Sequence, residues 1–171
     1  MELTVRPASY IGSDVNSGGW TRTGGESSDW ETLRSASDST YLYDGGINGS
    51  PATSFYTDAI DQDVYHGSQP STISKITVYV RAKGDSHATM PTIVLTERDA
   101  TGNRQDGVTK SLTTSWATYS QIFTTHDGGY GYDFGFYPDN VGFDGSELQA
   151  GFAVSHGTVG VFVSQLWIVI T

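Results

Sequence analysis

Seven residues of the chain are candidates for ligand binding or a subunit interface. Five sit in one segment, Gly129-Tyr130-Gly131-Tyr132-Asp133-Phe134-Gly135-Phe136-Tyr137-Pro138, where aromatics alternate with Gly and Asp. On an extended chain Tyr130, Tyr132, Phe134 and Phe136 share one side, and Tyr137 closes the run. Such a row of rings can stack on sugars, anchor a neighbouring subunit or fill a core. Trp20 and Trp30, both in polar surroundings, are the other two candidates. Asp58, Asp61 and Asp63 alternate oxygens at a spacing that can hold calcium. They lack the glycine and terminal glutamate of a full calcium loop, so a structural ion there is a weak candidate.

Catalytic chemistry finds less support. His66, His87, His126 and His156 lie far apart and show no metal-ligand spacing. No Gly-x-Ser-x-Gly elbow offers a nucleophile. Glycoside cleavage needs two carboxylates, and Glu31, Glu97 and Glu147 are the central candidates. Glu97, beside Arg98 and Asp99, and Glu147 both read as solvated strand ends. No catalytic residue, metal site or cofactor is therefore expected, calcium at the aspartates aside. The paired glycines, such as Gly45-Gly46, lack the lysine of a phosphate loop and read as turns.

The elements that must position these residues are strands. The 171 residues fit one domain, 1–171, and contain no cysteine, which removes disulfides and thiolate chemistry. Nineteen acids against nine bases repel phosphate backbones, so neither nucleic acid nor a membrane surface is an expected partner. Residues 1–7 show no signal-peptide pattern, and no run approaches the ~18 apolar residues of a membrane-spanning helix. Over residues 74–83, Ile76, Val78 and Val80 point one way and Lys75, Thr77, Tyr79 and Arg81 the other. Residues 91–97, 115–125, 148–154 and 158–170 read as further strands, with 2–6, 41–43 and 52–56 as shorter ones. Residues 12–25 read as a surface loop around Trp20. Ser28-Asp29-Trp30-Glu31 has capping-box spacing for one short helix to about Ala36. The expected fold is all-β: a two-sheet antiparallel sandwich, jelly-roll-like, with at most one short helix. Its expected core is Ile76, Val78, Val80, Val94, Phe123, Phe152, Val154, Val161, Val163, Leu166 and Ile168.

The order of segments carries a resemblance. Ser13-Asp14-Val15-Asn16-Ser17-Gly18-Gly19-Trp20-Thr21, then Ser37-Asp38-Ser39-Thr40-Tyr41-Leu42-Tyr43, the strand at 74–83, Thr113-Thr114-Ser115-Trp116-Ala117-Thr118-Tyr119-Ser120, and the closing strands at 148–152 and 163–170 resemble a sandwich domain of tailed-phage virions. Decoration proteins, head fibres and tail appendages carry that domain. Residues 126–147 depart from its pattern. The resemblance implies a non-enzymatic structural protein on the particle exterior. Its partners would be other virion proteins, copies of itself and a host-surface glycan, bound through many copies. The Ser-Trp-x-Thr-Tyr opening also recurs in sugar-binding sandwich modules, so the second expectation is a carbohydrate-binding module working through exposed aromatics.

Overall fold

A computed structural model describes residues 3–6, 9–12, 20–25, 29–44, 53–58, 75–86, 89–99, 104–124, 148–155 and 160–171. The strands are β1 (Leu3–Val5), β2 (Ser9–Gly12), β3 (Trp20–Thr23), β4 (Tyr41–Asp44), β5 (Thr53–Asp58), β6 (Ile76–Gly84), β7 (Thr92–Asp99), β8 (Arg104–Asp106), β9 (Lys110–Ser111), β10 (Ala117–Phe123), β11 (Leu148–Ser155) and β12 (Val161–Ile170). One helix, α1 (Asp29–Arg34), stands between β3 and β4. The first sheet runs β10-β6-β12-β4-β3 with β1 also on β12; the second runs β2-β5-β11-β7-β8 with β9 also on β7. All described pairings are antiparallel. The fold is the jelly-roll-like β-sandwich expected from the sequence.

Alternation builds the core. In β6, Ile76, Val78, Val80 and Ala82 are fully buried, while Tyr79, Arg81 and Lys83 between them are only partly covered. In β12, Val161, Val163, Leu166, Ile168 and Ile170 face the same way. The second sheet answers with Ile93, Leu95, Ala150, Phe152 and Val154. Leu33 brings α1 into this core with no exposed surface, and Leu42 does the same for β4.

Three expectations need correction. Val94 lies on the outer side of β7, and its neighbours Ile93 and Leu95 fill the core. The run Thr92-Ile93-Val94-Leu95-Thr96 has no polar alternation, so its sequence gave no sign of which side faces inward. Glu97 is 1% exposed, where a solvated strand end was expected, because it continues the inward series Ile93, Leu95. The expected loop at 12–25 contains β3, paired with β4 from Trp20↔Asp44 to Thr23↔Tyr41. Gly24 and Gly25 end that strand with φ of 112° and 85°, backbone conformations that suit glycine.

One irregularity matters for the site. In the pairing of β12 with β6, Val163 opposes Ala82 and Gln165 opposes Arg81, which leaves Ser164 as the extra residue of a β-bulge.

Candidate functional site

Among the described residues, the outer face of the first sheet collects six aromatic rings. Register sets them there: Phe162 lies opposite Lys83 on one side and Tyr43 on the other, and Trp167 lies opposite Tyr79. Tyr41 shares the outer side of β4 with Tyr43, and Trp116 immediately precedes β10. All six rings are partly exposed.

They form two platforms. In the first, the Tyr43 and Phe162 centroids are 4.6 Å apart at 32°, Tyr41 meets Phe162 at 5.5 Å and 69°, and Tyr41 meets Trp116 at 6.0 Å and 53°. Lys83 Nζ lies 4.7 Å from the Phe162 centroid and 5.1 Å from that of Trp116, within cation–π range of both. In the second, Tyr79 and Trp167 stack at 5.0 Å, only 3° from parallel. Arg6 sits 5.7 Å from the Trp167 centroid. Burial, then the charge of Arg34, lowers the Arg6 pKa, yet a guanidinium stays charged.

A polar brace joins the two. Arg81 Nε and Nη2 donate to Asp38 Oδ1 and Oδ2 at 2.7 and 2.6 Å, a bidentate pair. The bulged Ser164, fully buried, donates its hydroxyl to the same Oδ1 at 3.0 Å. Asp38 lies in the connection from α1 to β4, so the brace ties that connection to the sheet. The Arg81 hydrogen bonds, ahead of the Ser164 bond, hold the Asp38 carboxyl below its ordinary pKa, against a smaller opposing effect of burial. The pair in turn raises the Arg81 pKa. A general acid for glycoside cleavage needs the opposite shift, so Asp38 is built as a fixed acceptor.

Glycine shapes one border. A Cβ on Gly160 would stand 2.5 Å from Asp85 Oδ2 and 2.7 Å from Tyr43 Cε2. Only a residue without a side chain lets the Tyr43 ring lie where it does.

The candidates chosen from sequence fall elsewhere. Trp20 points inward: its ring meets Phe152 edge-on at 5.9 Å, and its indole N–H is buried without a hydrogen-bond partner among the described residues. Trp30 lies in α1, but its side chain is outside the described residues, as are Tyr130, Tyr132, Phe134, Phe136 and Tyr137. Asp58 ends β5; its side chain, and Asp61 and Asp63 entirely, lie outside them too. So do all four histidines and Glu147. Among the described residues, no three His, Cys, Asp or Glu side chains converge as a metal site would need.

Sequence reasoning missed Tyr41, Tyr43, Tyr79, Trp116, Phe162 and Trp167 as a site. A usable signal existed for three of them: Tyr41 and Tyr43 flank buried Leu42, and Tyr79 alternates with Val78 and Val80. Phe162 and Trp167 are five apart, and strict alternation puts them on opposite sides; only the bulge reunites them.

No protein-family model matches the chain, and no curated protein does. Solved structures do. The CBM22-1–GH10 modules of Clostridium thermocellum xylanase 10B, complexed with xylohexaose, align at 12% identity and TM-score 0.49. That match covers 100% of this chain and 29% of the other. The enzymatically active domain of bacteriophage CBA120 tailspike protein 4 aligns at 16% identity and TM-score 0.49, over 99% of this chain and 19% of that one. The xylan-binding module CBM15 aligns at 10% identity and TM-score 0.45, over 99% and 95%.

Proposed function

We propose that this chain is a non-catalytic carbohydrate-binding domain whose ligand lies on the outer face of the first sheet. The observation that carries it is the interleaving on one face of ring platforms with fixed polar groups: Tyr43, Phe162 and Trp116 around Lys83, the Asp38–Arg81 brace, then Tyr79 on Trp167. A sugar ring presents an apolar face and a rim of hydroxyls, and needs both kinds of surface. The core of a protein–protein contact also favours aromatics and arginine but is depleted in lysine and aspartate, and this face sets Lys83 and Asp38 among its rings. Phe162 and Trp167 lie roughly 15 Å apart along β12 at about 3.3 Å per residue, so the face suits an oligosaccharide better than a single sugar.

The magnitude is modest per ring. A sugar covering about a third of an aromatic's 150–250 Å² removes roughly 60 Å² from water, about 1.5 kcal/mol at 25 cal/mol per Å². Trp116→Ala and Phe162→Ala should each weaken binding by about tenfold, read by calorimetric titration with the best ligand from a glycan array, at unchanged far-ultraviolet dichroism. No binding to any glycan, together with co-sedimentation with virus capsid shells, would overturn this proposal. Protein contact on a virion exterior would then be the better account.

A further inference from the structure

The glycan held on this face is acidic: we infer that Lys83 receives a sugar carboxylate, as in a uronate-bearing polysaccharide. The inference rests on the carbohydrate-binding proposal above and names its ligand class. The two central cations of the face are treated differently. Arg81 is neutralised by Asp38 through two hydrogen bonds. Lys83, two residues along β6, has no ion pair among the described residues, and its ammonium is held by the Phe162 and Trp116 rings instead. Its charge is near enough to Asp38 to add slightly to the lowering of that carboxyl's pKa, after Arg81 and Ser164. Arg81 and Ser164 make the hydrogen bonds to Asp38 and Lys83 makes none of them, which leaves its ammonium able to meet another anion.

Charge distribution agrees. The chain has nine bases against nineteen acids. Three of those bases, Arg6, Arg81 and Lys83, lie on this one face, which also carries Asp38 and the exposed Asp85. The acidity of the chain as a whole repels a polyanion, so an acidic glycan is held here by the local surplus of cations on the ring-lined face, at short range. The rings that hold the ammonium also fix where the carboxylate must sit: beside the platform, with the sugar against the parts of Trp116 and Phe162 that the ammonium leaves exposed. A neutral glycan would meet the ammonium only through hydroxyl groups, a weaker contact than one to a carboxylate.

The test uses the full chain, an array of neutral and uronate-bearing polysaccharides, and each acidic polymer after chemical reduction of its carboxylates to alcohols. The expected result is binding to an acidic polymer that weakens about tenfold on carboxyl reduction and about tenfold in Lys83→Gln, as for loss of one charge-assisted contact. Lys83→Arg should retain it, and added salt should weaken the acidic ligand selectively. Melting curves of both variants report folding separately. Equal binding before and after carboxyl reduction, or a Lys83→Gln variant that binds the acidic polymer as well as wild type, would overturn the acidic-ligand inference and leave carbohydrate binding standing. Failure to bind any polymer would overturn both.

Discussion

Replacing Asp38 with Asn removes one negative charge and little volume, and the structure fixes what that should do. Asp38 accepts from Arg81 at 2.7 and 2.6 Å and from Ser164 at 3.0 Å, with the Arg81 and Asp38 side chains 29% and 31% exposed. Hydrogen bonds to charged groups contribute about 1.5–3 kcal/mol when well buried, and exposed ion pairs about 0.2–1. This pair lies between those limits, and Asn keeps one acceptor, so the loss at pH 7 should be about 2 kcal/mol. For a chain of this length that lowers Tm by roughly 4–8 °C. The pH dependence gives the sharper check. The native carboxyl titrates below its unfolded value of about 3.9, so its contribution is fully present above that value and is lost as pH falls through the native one. Wild type with a protonated Asp38 resembles the Asn variant. The Tm gap between the two, followed by circular dichroism from pH 7 to pH 2, should be wide at neutrality and close in acid. A gap of constant size across that range would refute the electrostatic account, and no gap at pH 7 would refute the brace altogether.

The other outcomes follow from the same geometry. Gly160→Ala should displace the Tyr43 ring or the Asp85 carboxylate; on the carbohydrate-binding proposal this weakens glycan binding severalfold in a calorimetric titration. Leu33→Ala should cost about 2–5 kcal/mol, since Leu33 is the fully buried anchor of α1, with a matching fall in the denaturation midpoint. Phe152→Ala should cost about 3–5 kcal/mol and expose the Trp20 indole that packs on it, seen as a red shift in tryptophan emission.

Much of the sandwich was legible in the sequence because one-sided burial writes itself as alternation. β6 shows this best: its buried Ile76, Val78 and Val80 interleave with Tyr79, Arg81 and Lys83. Where both sides are apolar or both polar the signal fails. The uniform run in β7 concealed that Val94 faces out, and the polar Trp20-Thr21-Arg22-Thr23 concealed the strand β3, whose only large inward ring is Trp20. The site was harder to see because it is assembled by pairing. Tyr79 and Trp167 are eighty-eight positions apart in the chain yet directly opposed, and nothing local to either residue records that. The dense aromatic run at 130–137 drew attention as a candidate for the opposite reason: its rings are adjacent in sequence.

The bulge at Ser164 constrains how this domain can change over evolutionary time. β12 lines the core with Val163 and Leu166 and the outer face with Phe162 and Trp167, and the bulge absorbs one extra residue between them so that both series stay in phase. Side chains on the face can be exchanged one at a time while the interior stays intact. Deleting Ser164 would leave Val163, Gln165, Leu166 and Trp167 in plain alternation, so both surfaces would keep their phase. What would go is the hydroxyl that holds Asp38, which ties the odd residue to the brace and not to the rings.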